Sequence, residues 1–337
     1  MKRISTSLLF ISILILSSQA QTLGEKVQKL LEEYPSISVS AYENGEFYDS
    51  IFTTAPKIHN NKEKYYLYSI SKSLTGLAIA KLYEEEKIDI DQSIKLYLKD
   101  LPDYYEDIKI SHLLTHTSGI RNYEKNEWLK FSQNHCSSAK DAVNWFASDA
   151  LISNPGQEYQ YSTFNYVVLS YLIEHVTGKS FIDYINELTK GIADILFYLD
   201  DENTLDGEVP YYENWSSKKG KGKLIPAIDN SCKLGGGGIV ASATDVVKLH
   251  AAILNGEILK NPNEYYQPLS EVNSYAYGTS RGKTGELNYN AHTASGMGAS
   301  GAIMIFPDQK KVVMVIGNVE SDDIKENIYS ISKDGLQ

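Results

Sequence analysis

The sequence predicts an α+β protein in which an antiparallel β-sheet is flanked by helices and carries an additional helical domain. Three observations favour this fold. Strand-like alternation occurs near the start of the chain, helical apolar periodicity runs through its middle, and strand-like segments return near its end. Because both ends supply strands, we expect one sheet with parts at about 21–80 and 235–337, and a helical insertion at about 81–234.

The first strands are expected soon after the N-terminal region. Residues 22–34 have helical periodicity, and Pro35 ends that helix. Residues 37–42 alternate between apolar and polar side chains, and residues 47–53 return in the same way. Asn44 and Gly45 lie between these segments, which predicts a tight β-hairpin.

The middle of the chain predicts helices, and its end predicts further strands. Apolar residues at helical spacing after Ser69 predict a helix that begins there and buries one face. Further helices are expected at 139–150, 166–176 and 181–189. The closing part of the chain predicts strands at 275–279, 287–293, 301–306 and 312–316, and a helix at 322–332.

Composition and charge narrow the functional classes. The 337 residues suffice for one large domain or two closely packed ones. A net charge of −11 and the lack of a basic stripe argue against a nucleic-acid partner. His112 and His116 have a spacing that zinc ligands use, but no acidic third ligand lies nearby. We therefore expect no metal and no cofactor.

The N-terminus predicts export. Positive charge at Lys2 and Arg3 precedes an apolar run, and small residues near position 20 offer a cleavage site. The run is short for a bilayer span, so residues 1–20 are expected to be a removed signal peptide and not a stable membrane anchor. The remaining chain, 21–337, would lie in the periplasm or outside the cell. There Cys136 and Cys232 could pair or remain two buried thiols.

Ser69 and Lys72 are the first candidate catalytic residues. They lie three residues apart at the predicted start of a helix, so both side chains fall on one face. A serine hydroxyl becomes an effective nucleophile when a neighbour takes its proton, and an amine can do that. Burial or a nearby cation must first lower the pKa of the amine from about 10.4. The same spacing also fits a serine helix cap followed by an exposed lysine.

Tyr161 is the third candidate catalytic residue. It follows a Pro155-Gly156 turn and lies just before a predicted helix. A lysine ammonium beside a tyrosine can lower the pKa of the phenol enough for it to shuttle the proton of the serine. The chain has 25 tyrosines, so packing in the core is the other interpretation of this one.

A strand near the C-terminus offers groups for a substrate. His292 and Thr293 end a predicted strand before a glycine-rich turn, where a backbone N–H can meet an oxyanion and a side chain can meet a carboxylate. Lys283 is an alternative to His292 for this role, because residues 283–285 have the sequence Lys-Thr-Gly, a known catalytic motif. The residues around Lys283 have the composition of an exposed hairpin turn, so we favour His292 and keep both open.

These landmarks occur in an order that resembles the serine β-lactamase-related family. That family comprises class C β-lactamases, D-alanyl-D-alanine carboxypeptidases and related esterases, and the motifs are similar to those of its mitochondrial β-lactamase-like members and their bacterial relatives. The resemblance covers about 22–318 of the chain. Its landmarks are Ser69-Ile70-Ser71-Lys72, the stretch 113–120, Tyr161-Ser162-Thr163, the glycine run 235–238 and His292-Thr293.

The resemblance implies a serine hydrolase that works through an acyl-enzyme on an ester, peptide or β-lactam carbonyl of a small-molecule or peptide substrate. It implies Ser69 as the acylated nucleophile, with Lys72 and Tyr161 as proton-transfer partners. It further implies an oxyanion hole formed by the backbone N–H groups of Ser69 and Ser295. The side chains implied to face the substrate are those of Thr163, His292 and Thr293.

Departures from the family pattern motivate a second hypothesis. Thr163 replaces an asparagine whose amide grips the acyl side chain. His292 replaces a basic residue and is at most partly charged at neutral pH. Ala294 adds a methyl group where glycine lets the backbone approach a ligand. A ligand-binding protein with weak or no turnover on the same scaffold is therefore the alternative to a hydrolase.

Overall fold

The computed structural model describes residues 34–53, 63–132, 134–197, 210–216, 221–225 and 228–320. The predicted signal peptide, the predicted helix at 22–34 except its last residue, and the predicted helix at 322–332 lie outside these ranges. The described strands are β1 (Ser36–Glu43), β2 (Glu46–Thr53), β3 (Tyr65–Tyr66), β4 (Leu196–Phe197), β5 (Tyr212–Ser216), β6 (Lys221–Leu224), β7 (Ile239–Ala241), β8 (Ser280–Thr284), β9 (Leu287–Gly296), β10 (Ala299–Phe306) and β11 (Lys311–Gly317).

Helices lie mainly between the two groups of long strands. The described α-helices are α1 (Ser71–Glu84), α2 (Ile110–Leu114), α3 (Glu127–Phe131), α4 (Ala139–Val143), α5 (Thr163–Thr177), α6 (Phe181–Leu188), α7 (Ala243–Leu254) and α8 (Pro262–Tyr265). Helix α4 is shorter than the predicted 139–150, because the residues after Val143 continue as turns.

One antiparallel sheet combines the two ends of the chain. Its strand order is β2-β1-β11-β10-β9-β8, and β1 pairs with β11. Strands β10 and β11 are buried along their whole length, because they lie at the centre of the sheet with side chains packed on both faces. Helix α7 packs on β1 and β11. The predicted α+β fold, an antiparallel sheet flanked by helices, is confirmed.

The edge of this sheet differs from the prediction. Residues 280–284, expected in an exposed turn, form edge strand β8, which pairs with β9. The strand lacks apolar alternation because both of its faces are partly exposed and backbone pairing holds it. The predicted strand at 275–279 is reduced to a single bridge between Tyr275 and Ser280. The left-handed φ of +83° at Gly278 turns the chain there.

Helix α1 is buried around nearly its whole circumference, whereas the sequence predicted one buried face. Every residue from Ser71 to Ala80 is buried. Helices α5 and α6 pack on one side of α1. On another side the chain at Tyr277 approaches so closely that a Cβ on Gly76 would lie 2.3 Å from the Tyr277 carbonyl oxygen. Small side chains permit this close packing at the centre of the molecule.

A disulfide bond joins Cys136 to Cys232, so the pairing that the sequence left open is formed. Their Cα atoms lie 4.9 Å apart, a distance that a disulfide bond spans. The bond connects the segment before α4 to a 3-10 turn at Ser231–Gly236. The backbone N–H of Cys136 also donates a hydrogen bond to the hydroxyl of Ser231, at 2.9 Å. The turn is thereby fixed to the helical part of the molecule.

No described helix is both long and apolar enough to cross a lipid bilayer.

We expect Gly76→Ala to lower stability, although alanine usually favours a helix over glycine. The added methyl group would overlap the backbone at Tyr277 and cost about 1–3 kcal/mol of unfolding free energy. Urea unfolding of the variant measures this. The matched control is Gly237→Ala, where a Cβ would find its nearest neighbour at 3.7 Å. A Gly76→Ala protein as stable as wild type would contradict the observed packing.

We expect the double variant Cys136→Ser, Cys232→Ser to lose about 2–5 kcal/mol of unfolding free energy, because the unfolded chain regains the freedom that the cross-link removes. The cross-linked residues are 96 positions apart. Unfolding of wild type with and without a reducing agent should show the same loss, while the double variant should not respond to the reducing agent. If the unfolding free energy of wild type does not change when a reducing agent is added, this expectation is refuted.

Candidate active site

Ser69 lies in a strained turn that enters α1. The turn is a 3-10 helix at Tyr68–Ile70, and Tyr68 has a positive φ of 41°. Such a backbone is unfavourable for a large side chain, so surrounding contacts must hold it. The Tyr68 hydroxyl donates a hydrogen bond to the carbonyl of Met297, at 2.7 Å. The Tyr68 ring covers Gly296, where a Cβ would lie 2.5 Å from the ring. These contacts fix the turn against β9.

Lys72 and Tyr161 meet at the hydroxyl of Ser69. Nζ of Lys72 lies 3.1 Å from Oγ of Ser69, and the phenol of Tyr161 donates a hydrogen bond to the same oxygen, at 2.8 Å. Tyr161 is 92 residues away in the sequence and is positioned by the start of α5. The structure therefore brings the three predicted catalytic side chains together. Lys72 is fully buried, which rules out the exposed lysine of the helix-cap interpretation.

Burial and a second lysine set the charge of Lys72. Burial lowers the pKa of Lys72 well below its usual value, and the positive charge of Lys233 lowers this pKa further. Nζ of Lys72 also donates a 2.6 Å hydrogen bond to the carbonyl oxygen of Gly236. A neutral amine satisfies this acceptor and keeps a lone pair for the proton of a hydroxyl group. The environment thus disfavours the charged form of Lys72.

Tyr161 does not have the lowered pKa that the sequence analysis expected. Burial raises the pKa of Tyr161, and the hydrogen bond to Ser69 opposes this only in part. The charged form of Lys72 is itself disfavoured by burial, and Lys72 does not offset the effect of burial on the pKa of Tyr161. Tyr161 is therefore a neutral phenol that donates a hydrogen bond, and the prediction of an acidified phenol is wrong.

His116 holds the ring of Tyr161. The two rings pack with centroids 4.4 Å apart, and the ring of Tyr275 meets His116 edge-on at 4.7 Å. Nδ1 of His116 accepts a hydrogen bond from the backbone N–H of Ser162, at 3.2 Å, so the ring also fixes the chain after Tyr161. Burial lowers the pKa of His116 well below its usual value, and the histidine is neutral.

Among the described residues, no cluster of His, Cys, Asp and Glu could hold a metal ion.

The glycine run brings backbone into the site. A Cβ on Gly235 would lie 2.0 Å from Oγ1 of Thr75, and a Cβ on Gly236 would lie 2.8 Å from Cγ2 of Thr163. Only glycine lets the chain pass between α1 and α5 at this distance. The passage places the Gly236 carbonyl against Lys72. The glycine run is one of the landmarks of the family resemblance, and nothing in the sequence alone indicates that this carbonyl binds the amine.

A cavity of about 250 Å³ opens beside Ser69. Thr163 and Ser295 also line it, so two of the residues implied to bind substrate or oxyanion face the nucleophile. His292 and Thr293 lie outside its lining. The other lining residues are Tyr68, Tyr123, Trp128, Ser132, Ile228, Lys233, Gly236, Gly237, Gly296, Met297 and Glu320.

His292 is turned toward other protein groups. Its Nε2 is 2.6 Å from the hydroxyl of Tyr275, and its Nδ1 is 2.8 Å from the carbonyl oxygen of Thr293. Burial and the nearby Lys72 lower the pKa of His292 to about 3, so the ring carries no charge at neutral pH. The competing Lys283 is exposed on edge strand β8 and pairs with Glu286 at 3.5 Å.

Lys233 is a residue of the site that the sequence analysis missed. It lines the cavity from the 3-10 turn before the glycine run and is only 8% exposed. Burial lowers its pKa to about 8. A sequence signal did exist, because Lys233 is a single cation within an otherwise uncharged stretch, residues 230–243. A charged residue in such a stretch is a candidate for a buried functional group.

A serine held between a buried lysine and a tyrosine, on this α+β fold, defines a serine β-lactamase-like hydrolase fold. The sequence model of the β-lactamase family matches residues 23–332, so the chain belongs to that family. The resemblance stated from the motifs is confirmed.

Relatives in sequence share this family. The human mitochondrial serine β-lactamase-like protein LACTB is 26% identical over 345 residues, covering 72% of this chain and 62% of that protein. The putative penicillin-binding protein PbpX of Bacillus subtilis (strain 168) is 29% identical over 226 residues, covering 66% of this chain and 54% of that protein. The chain thus spans less than two thirds of the length of these relatives.

Solved structures share the fold. A D-amino acid amidase from Ochrobactrum anthropi SV3, in complex with L-phenylalanine, aligns with a TM-score of 0.76 at 18% identity, covering 94% of this chain and 98% of the amidase. A penicillin-binding protein from Bacillus halodurans aligns with a TM-score of 0.76 at 18% identity, covering 92% of this chain and 98% of that protein. At 18% sequence identity, the similarity to these structures shows a shared fold alone.

The buried Lys72 predicts a pH-dependent stability. Between its lowered pKa and the ordinary value of 10.5, the unfolded chain binds a proton that the folded protein does not, so stability rises with pH. One such group contributes a slope of at most about 1.4 kcal/mol per pH unit. We expect Lys72→Met to reduce the slope in urea unfolding between about pH 7 and 8.

Lys233→Met is the companion variant. Since its pKa is about 8, Lys233 adds to the slope mainly above that pH, and its removal should flatten stability in that higher range. The two variants thus separate the two lysines. An unchanged slope between about pH 7 and 8 in Lys72→Met would mean that Lys72 is protonated in the folded state.

Proposed function

We propose that the protein is a serine hydrolase that works through an acyl-enzyme, with Ser69 as nucleophile. The observation that carries the proposal is the convergence of a buried amine and a neutral phenol on Oγ of Ser69, at 3.1 and 2.8 Å. A hydroxyl group between a base and a hydrogen-bond donor, at the wall of a cavity, is arranged for attack on a carbonyl carbon.

In the proposed acylation, Lys72 takes the proton of Ser69 while the Oγ–C bond forms. The electron pair of the carbonyl moves to its oxygen, which the backbone N–H groups of Ser69 and Ser295 stabilise. Both residues line the cavity, as this role requires. The tetrahedral adduct then collapses, the bond to the leaving group breaks, and the ammonium of Lys72 returns the proton to that group.

Deacylation reverses these roles with water. A water molecule attacks the acyl ester, Lys72 takes its proton, and Ser69 leaves as the hydroxyl once that proton is returned to Oγ. Tyr161, as a neutral phenol, donates a hydrogen bond to Oγ in each step and can relay a proton between Oγ and the leaving group. Its raised pKa supports donation and argues against a phenolate base.

We propose an ester, peptide or β-lactam carbonyl as the reacting group. Thr163 lines the cavity where the family pattern has an asparagine, so the amide that grips an acyl side chain is replaced by a hydroxyl. Ala294 is fully buried on β9, at a position where the family pattern has glycine. These changes bear on the choice of substrate, whereas the three groups at the nucleophile are intact. A ligand-binding protein without turnover is the competing proposal.

We also propose export to the periplasm or the outside of the cell. The charged and apolar pattern at residues 1–20 supports it. The disulfide bond between Cys136 and Cys232 agrees with an oxidising compartment. The mitochondrial location in the name of LACTB belongs to that protein.

We expect a fluorophosphonate probe to label wild type at Ser69 and not to label Ser69→Ala. Lys72→Ala should lower the labelling rate by about 10³-fold or more, because the hydroxyl then lacks its base. Tyr161→Phe should lower it less, by about 10-fold, because only a hydrogen-bond donor is lost. Labelling is measured by mass spectrometry of the modified peptide.

Turnover separates the hydrolase from the binding protein. Wild type should hydrolyse at least one of a para-nitrophenyl ester, a chromogenic cephalosporin and a D-Ala-D-Ala peptide, and Lys72→Ala should abolish that turnover. Equal labelling of wild type and Ser69→Ala would reject Ser69 as the nucleophile. Labelling without turnover of any of the three would favour the binding protein.

A further inference from the structure

The cavity beside Ser69 contains a buried cation that the proposed chemistry does not use. Lys233 reaches the cavity from the 3-10 turn Ser231–Gly236, and only 8% of the residue is exposed. The turn is fixed by the disulfide bond at Cys232. Lys233 is therefore held in place by the fold and does not reach in from a flexible surface loop.

Lys233 has no anionic partner among the residues that the structure describes. Its Nζ lies over the ring of Tyr68, 5.3 Å from the ring centroid. Burial alone accounts for its lowered pKa, with no carboxylate opposing the effect. Glu320 also lines the cavity, but this residue is exposed and forms no ion pair with Lys233. An ammonium that is buried without an ion pair is costly, and such groups commonly serve a ligand.

Burial lowers the pKa values of both Lys233 and Lys72. With a pKa of about 8, Lys233 remains mostly protonated at neutral pH, whereas Lys72 has a pKa well below its usual value. When two similar groups in one site have their pKa values separated in this way, they take different roles. Lys233 has the properties of a fixed positive charge in the cavity.

The basic position of the family pattern cannot supply this charge. His292 has a pKa of about 3 and is hydrogen-bonded to Tyr275. Lys283 is exposed and paired with Glu286. Within the described part of the chain, Lys233 is thus the cation that faces the cavity of Ser69.

We propose that Lys233 binds a carboxylate of the substrate and thereby selects acyl compounds that carry one. The inference rests on the proposed acyl-enzyme function and names the substrate class for it. The rest of the lining includes Tyr123, Trp128, Ile228 and Met297, which suit an apolar or aromatic group. The expected substrate therefore joins a carboxylate to an apolar body.

Two pairs of esters test the proposal, because the carboxylate can lie on either side of the bond that is cut. The first pair places it on the acyl side: the para-nitrophenyl monoester of adipic acid and the same ester of adipic monoamide. The second pair places it on the leaving group: meta-carboxyphenyl and meta-carbamoylphenyl hexanoate. Within each pair the amide matches the acid in shape, so the ratio of kcat/KM values reports the charge.

We expect wild type to prefer the carboxylate at least tenfold in one of the two pairs. Lys233→Met keeps the length and apolar stem of the side chain and should bring that ratio close to one, whereas Lys233→Arg should retain a preference. Lys283→Met removes an exposed lysine and is the charge-matched control, so its ratio should equal that of wild type. The ratio also cancels any change in the reactivity of Ser69 that follows from the effect of Lys233 on Lys72.

Fluorophosphonate labelling of Ser69 in each variant keeps the two proposals distinguishable. If wild type is labelled and hydrolyses the esters but prefers the acid in neither pair, the carboxylate proposal is overturned and the hydrolase proposal stands. A preference that survives in Lys233→Met also overturns it. If Ser69 is not labelled, the proposed function itself fails. If Lys233→Met does not fold, the wild-type and Lys233→Arg ratios decide, and a wild-type ratio near one rejects the proposal.

Discussion

The burial of one amine is the constraint on which the rest of the structure depends. Lys72 must sit beside Ser69 in a place without water, with its amine held by the carbonyl of Gly236. This requires α1 to be covered on nearly every side, which the helices α5 and α6, the 3-10 turn Ser231–Gly236 and the chain at Tyr277 provide. It also requires backbone close to the amine, and only the glycine run can pass there.

Desolvation then gives each titratable group of the site its charge. It disfavours the ammonium form of Lys72 and the phenolate form of Tyr161, and these are the properties expected of a base and a hydrogen-bond donor. His116 and His292 become neutral for the same reason. Lys233, with a smaller shift, keeps most of its charge at neutral pH. One physical effect of graded strength thus separates a base from a cation.

The 3-10 turn at Ser231–Gly236 links the two lysines. It carries Lys233 at its centre, ends at the carbonyl that binds Lys72, and is tied to the helical part by the disulfide bond at Cys232. A change in the turn would therefore disturb the proposed base and the proposed carboxylate site together. The glycine run, which begins at the end of this turn, is a landmark of the family resemblance, and its contact with Lys72 is seen only in the tertiary structure.

The sequence alone determined the α+β class, the strand pairing of the two ends, the family, Ser69 and the two side chains that meet at its hydroxyl, because periodicity and ordered motifs are local properties of the chain. Edge strand β8 was not predicted, because backbone pairing with β9 stabilises it and its sequence lacks apolar alternation. Only the tertiary structure decided the disulfide bond, the neutral state of Tyr161 and the placement of Lys233 in the cavity. Each of these depends on what surrounds a residue in space, and burial is set by segments far apart in the sequence.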